Sequence, residues 1–384
     1  MSFKEVFRAE FKRIFSDIAV VLTIIGGVIV YAFLYPQPYS NENATSIAIS
    51  VVDLDKSDVS REIIYKLNAT PQVDVRRQDM SQRDAKEALL EGRVQALIVI
   101  PEHFKRDLAL SSSPTVAMGV DTSYFLIYGG VLEATMKSVL TQGVTIKVSN
   151  LLKSGEPMSR AKESYSAYSL NSINLFNPQN SYLQYVIPAV FIILLQQTML
   201  IGLGIVGGGV NEREESDGTL WMVMLSRMSI FMSIYFVHML FYFGYIFDSL
   251  GITHLASITD LLTFGVPFLL ASGFLGIFLG ALFNSREIAT PAVLFSSLPL
   301  VFSAGFVWPK EALSESVKLL SMLSPSTSAI DGFLKLNQMG AEFDVVIQNY
   351  TILWIEVVVY AILGYYFINK KRSQYVKNNK RNNS

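Results

Sequence analysis

Cysteine is missing from all 384 residues, which excludes disulfides, thiolate metal sites and a cysteine nucleophile. Histidine is nearly missing as well. His103, His238 and His254 are scattered, with no HExxH pair and no close His/carboxylate cluster. No GxxxxGK(S/T) loop occurs, so the chain has no P-loop of its own, and any ATP it uses is bound by another subunit. Charge is sparse, at 16% of residues and a net −1, so no strong field points to nucleic acid. Apolar residues make up 51% of the chain and fall in long runs, which places it among membrane proteins.

Residues 1–17 carry Lys4, Arg8, Lys12 and Arg13, with Phe3, Val6, Phe7, Phe11, Ile14 and Phe15 between them. The apolar positions recur at helical spacing, which predicts an amphipathic helix lying on a membrane surface. Residues 18–35 form an uncharged run, roughly 27 Å long as a helix and enough to cross the hydrocarbon. The run is long for a signal-peptide core. It ends in Tyr-Ala-Phe-Leu-Tyr-Pro instead of a small-residue cleavage site, so it reads as an uncleaved first span. The basic flank puts the N-terminus in the cytoplasm.

Residues 36–180 are the longest polar portion. Strand patterns at 47–52, 73–75, 95–100 and 115–120 alternate with helical patterns opened by Ser57 and Ser81 and a third at 103–110. That alternation predicts a small α/β domain. A long helix over about 124–153 and a Ser/Asn-rich return follow. Asp53, Asp55 and Asp58 fall short of a calcium loop, which needs a further glycine and a terminal glutamate. They read as strand-to-helix turn carboxylates, with Ser57 or Asp58 capping the helix. His103 stands alone as a surface or capping residue.

Residues 181–369 hold five further apolar runs: 182–206, 230–247, 261–283, 288–307 and 345–368. The expected fold is therefore an α-helical integral membrane protein with six transmembrane helices and an inserted α/β extracytoplasmic domain. Six spans put both termini on one side. The basic N-terminal segment, Arg213, Arg227, Arg286 and the basic tail at 370–384 all fall on that side, in accord with the positive-inside rule. Residues 309–344 then lie outside as short helices dipping into the outer leaflet. Inside the spans, polar residues are few. Gln196, Gln197, His238 and Glu356 stand out, and such groups are candidate functional residues by default.

Between the second and third spans, residues 208–229 carry Glu212, Arg213, Glu214, Glu215 and Asp217, then Gly218-Thr219 and a short amphipathic segment at 220–225. Taken alone, this is either an ordinary polar loop or a grip for something outside the bilayer. Resemblance favours the grip. IAISVVDLDKSDVSREI at 47–63, EALLEGRVQALIVIPEHF at 87–104, NEREESDGTLWMVMLSRMS at 211–229, SAGFVWP from Ser303 and LSPSTSAIDGFL from Leu323 occur in the order and spacing of one family. The chain resembles a type-2 ABC transporter permease with a large extracytoplasmic domain between its first two spans.

That resemblance implies a membrane subunit of an ATP-driven exporter, carrying an apolar or amphipathic substrate outward from the bacterial cytoplasmic (inner) membrane. It implies no cofactor in this chain, with ATP and Mg on a separate ATP-binding cassette subunit. It also implies a second permease copy, as homodimer or heterodimer, and an envelope adaptor is a further expected partner. Glu212, Arg213, Glu214, Glu215, Gly218 and Thr219 would form the coupling contact. The segment after Gly-Thr departs from many relatives, having neither a Thr-Pro nor a lysine at the start of the third span. The competing class is a membrane scaffold or receptor with a ligand-binding outer domain and no ATPase partner. An intramembrane enzyme is weakest, because no paired intramembrane aspartates and no Ser/His arrangement at helical spacing occur.

Overall fold

A computed structural model describes residues 2–39, 45–110, 112, 114–120, 125–153, 155, 157–158, 176, 181–208, 219–283, 285–308 and 310–382. In chain order, helices α1 (Phe3–Ser16) and α2 (Ile18–Tyr39) precede strand β1 (Ile47–Asp53). Helix α3 (Asp58–Asn68), β2 (Val73–Asp79), α4 (Gln82–Leu90), β3 (Ala96–Ile100), α5 (Phe104–Ala109), β4 (Ala117–Val120) and α6 (Phe125–Lys153) follow. The remainder is helical: α7 (Tyr182–Gly208), α8 (Leu220–Ser249), α9 (Ile258–Leu282), α10 (Ala289–Ser303), α11 (Glu315–Ser321), α12 (Pro325–Phe333) and α13 (Ile347–Asn382). Two compact units result, one of residues 1–40 with 181–384 and one of residues 41–180.

The 41–180 unit is built on a four-stranded sheet of order β2-β1-β3-β4, parallel except for β4 against β3. Residues 47–52 of β1 are all buried, as a central parallel strand covered on both faces requires. On one side Ile49, Val51, Ile98 and Ile100 pack with Ile63 and Leu67 of α3 and with Val131 and Ala134 of α6. On the other, Val52 and Val99 meet Ala85 of α4. Ser57 and Ser81 start their helices as capping residues. Each hydroxyl accepts from a backbone N–H three positions on, at 3.1 and 3.2 Å. The three aspartates stitch the turn between β1 and α3. Asp53 accepts from the amides of Asp55 and Lys56 and from the Ser60 hydroxyl. His103 sits at the N-cap position of α5 in a left-handed conformation, φ 62°.

Among the described residues, five helical stretches are long and apolar enough to cross a membrane: Ile18–Tyr39, Leu183–Gly208, Leu220–Ser249, Ile258–Leu282 and Phe343–Ser373. The run expected to supply one more, 288–307, forms the 15-residue helix α10 instead, about 22 Å long. Ala304 caps it and Gly305, at φ 88°, takes the left-handed conformation that ends a helix, although apolar residues continue to Trp308. A second difference concerns 220–225. This is the first turn and a half of α8, not a separate segment, and Val223 and Met224 are already buried there. The 309–344 stretch does hold short helices, and α12 is buried along nearly its whole length.

Candidate functional site

Glu10 lies in the apolar stripe of α1, between Val6 and Ile14, and all three are buried. Its carboxylate accepts from Arg227 Nε of α8 at 2.7 Å and from Arg227 Nη2 at 3.3 Å. Arg13 Nη1 is 3.9 Å from the same carboxylate, and Arg13 Nη2 donates to the Val206 carbonyl of α7 at 3.2 Å. Burial, then the charge of Arg227, pulls the Arg13 guanidinium below its ordinary value, with Glu10 and Asp17 opposing. Asp17 caps α2 through the Ala19 amide and accepts two bonds from Arg286 Nη2, at 2.7 and 3.0 Å. Helix α1 is thus fastened to α7, to α8 and to the turn before α10.

The end of α7 is held from another direction by backbone packing. A Cβ on Gly207 would lie 2.9 Å from the Gly280 backbone, and one on Gly208 would lie 2.8 Å from the Ser285 carbonyl oxygen. Only glycine permits that approach. Segment 209–218 leaves from this cluster and returns at Thr219, and Trp221 just beyond stacks on Tyr365 at 4.8 Å. Glu212, Arg213, Glu214, Glu215 and Gly218 lie outside the described residues. Thr219 is exposed and occupies the N-cap position of α8 without a side-chain capping bond. Both stems of the segment are bound to several helices at once, so a force on it passes into the bundle.

The polar residues expected within the spans fall into three situations. His238 Nε2 pairs with the Ile24 carbonyl at 2.8 Å, and Tyr242, one turn on, donates to the Val28 carbonyl at 2.8 Å. Both carbonyls belong to α2 at or next to its π-helical stretch Leu22–Gly27, where the ordinary helical bond pattern is broken. Gln196 spans from α7 to the start of α12. Its amide donates to Ser324 Oγ at 2.8 Å and its oxygen accepts from the Ser326 amide at 2.7 Å. Gln197 and Glu356 are buried, and neither side chain has a hydrogen-bond partner among the described residues.

The Glu10–Arg227 pair went unread in the sequence because 217 positions separate its members. One signal was present: a glutamate inside the apolar stripe of an amphipathic helix. Among the described residues no cluster of three or more His, Asp or Glu side chains could hold a metal. The family model described as ABC-2 family transporter protein matches residues 18–366, nearly the whole chain. No curated protein matches.

Proposed function

This chain belongs to the ABC-2 family of transporter membrane proteins, and we propose that it is the permease subunit of an ATP-driven exporter. Members of the family work in general with an ATP-binding cassette partner. In this reading the partner docks on the coupling element 208–229, through Glu212, Arg213, Glu214, Glu215, Gly218 and Thr219, on the cytoplasmic side of a bacterial inner membrane. Two permease copies move an apolar or amphipathic molecule outward, and the 41–180 unit faces the exterior, where it gates the exit or meets an envelope adaptor. ATP and Mg act on the partner chain.

The observation that carries this reading is the clamp. Nucleotide-driven closure of a partner does work on the permease only where the contact is coupled to the spans, and the helix ends beside 209–218 are tied to α1, α8, α9 and the turn before α10. The permease then needs two arrangements of similar energy that the partner biases.

Affinity purification in mild detergent tests this. A stoichiometric subunit with a Walker A motif is expected. Reversing charge at Glu214 and Glu215 together should abolish its retention and its stimulated ATP hydrolysis while folded permease is kept. Unchanged hydrolysis in that variant removes the coupling assignment. A repeatable absence of any such subunit removes the exporter.

A further inference from the structure

Glu356 sits in the stretch Phe343–Ser373, within the apolar part of α13, and is 7% exposed. Both of its carboxyl oxygens are buried without a hydrogen-bond partner among the described residues. Its direction follows from its neighbours on the helix. Asn349, seven positions earlier, donates to the Ser328 carbonyl at 3.2 Å. Tyr360, four positions later, donates to the Leu323 carbonyl. Positions i, i+7 and i+11 share one helix face, so Glu356 faces the same Leu323–Ser328 stretch, the first turn of α12. That turn is rich in hydroxyls, and Gln196 pins it from the other side through Ser324 and Ser326.

Other acidic groups of the helical unit show what is unusual here. Asp331, on the same face of contact, is taken by Lys335 at 2.8 Å and by Asn349 at 3.0 Å. Glu10 and Asp17 are taken by arginines. Glu356 differs from these three in having no hydrogen-bond partner among the described residues. A bare carboxylate in hydrocarbon is too costly to persist, so the group holds either a proton or a cation. The turn beside it offers hydroxyl and carbonyl oxygens, which accept hydrogen bonds from a cationic nitrogen.

We propose that Glu356, facing the Leu323–Ser328 turn, is an intramembrane site for the nitrogen of an amphipathic amine. The identification of that amine as cargo rests on the export reading above. The amine enters from the bilayer as the free base. The proton on the Glu356 carboxyl moves to the nitrogen lone pair, leaving a carboxylate beside an ammonium. No net charge enters the hydrocarbon at any point, which is how an ionisable lipid-like molecule is held there without a permanent buried ion. Hydroxyl and carbonyl acceptors in the α12 turn take the remaining N–H bonds, and the substrate's chain lies along the apolar faces of α9 and α13.

Infrared difference spectroscopy on the full chain in phosphatidylcholine nanodiscs tests the proton transfer directly. N,N-dimethyldodecylamine is the probe and 1-dodecanol the neutral control. The expected result is loss of one protonated-carboxyl C=O band on amine addition, no loss with the alcohol, and no band to lose in Glu356→Gln. Should that variant not fold, Glu356→Asp moves the responding band in frequency. An unchanged band in the natural chain, an equal loss with dodecanol, or the same loss in Glu356→Gln overturns the site. The band belongs to this chain alone and does not depend on an ATP-binding subunit. Failure of the export reading therefore appears separately, in the purification, as a missing partner.

Discussion

Two glutamates of the helical unit are buried to nearly the same degree, Glu10 at 3% exposed and Glu356 at 7%. Their surroundings are opposite. Glu10 has Arg227 at 2.7 Å and Arg13 at 3.9 Å. Glu356 has no hydrogen-bond partner among the described residues. Desolvation penalises both, but only at Glu10 does the chain supply the countercharge. The difference separates a carboxyl paired within the helical unit from one without a hydrogen-bond partner among the described residues. Glu10 fixes one arrangement of α1 on α8, whereas at Glu356 the proposed amine would supply the countercharge.

The comparison breaks most directly by neutralising each in turn. Glu10→Gln leaves Arg227 buried without its carboxylate, beside the part-exposed Arg13. The expected destabilisation is about 3–5 kcal/mol, the range for removing one partner of a buried pair. Glu356→Gln removes no partner and is expected to shift stability by less than about 1 kcal/mol. Thermal unfolding in detergent, monitored by loss of monodisperse protein, ranks the two. Equal losses would mean that Glu356 has a structural counterion after all. Adding Arg227→Met to a Glu10→Leu variant should recover most of the deficit, because replacing both charges by apolar groups is often close to neutral.

The next effect in size concerns the packing under the same clamp. Gly208→Ala places a methyl group 2.8 Å from the Ser285 carbonyl oxygen, a backbone atom that cannot swing aside. Overpacking of this kind costs about 1–3 kcal/mol. Since the turn carrying Arg286 must shift, the variant should also loosen α1, read as faster proteolysis of residues 3–16. Asp17→Asn should do less. The Asp17–Arg286 pair is partly exposed, with side chains 25% and 43% accessible. Its loss is worth at most about 1 kcal/mol and should vanish at high salt.

How much of this was legible beforehand depends on whether the signal was local. Strand β1 was readable because every residue from 47 to 52 is apolar or small, and α3 and α4 because a serine stands at each start. The long spans were readable from length and apolarity. Helix α10 was not, because the apolar run passes straight through the stop at Gly305, and a stop made by backbone conformation leaves hydropathy unchanged. Gln196, Gln197, His238 and Glu356 were visible as polar letters in apolar text. The partners of Gln196 and His238 were not, since the bonds to Ser324 and Ile24 join residues 128 and 214 positions apart. Charge counting put Arg227 and Arg286 on one side with the N-terminal segment but named no partner for either, and both are held by carboxylates of that segment.

A third kind of carboxyl, at the edge of the 41–180 unit, sharpens the contrast with pH. Asp79 accepts from Arg77 Nη2 at 2.7 Å and from the Ser50 hydroxyl at 2.7 Å, and the Arg77 hydrogen bond, first among the causes, holds its pKa below the ordinary value. Asp58 is lowered likewise by Lys105 Nζ at 2.5 Å. Both favour the ionised form in the folded state. Their contribution to stability is therefore complete above the unfolded Asp value of about 3.9, and it is lost as pH falls through the folded values below that. Hydrogen exchange of the full chain, corrected for intrinsic rates, should show β1 and β2 losing protection between about pH 4 and pH 2, while Asp79→Asn is already lowered at neutral pH and flattens the dependence. Protection that is constant across that window would remove the electrostatic reason for the Arg77 contact at the β2 edge.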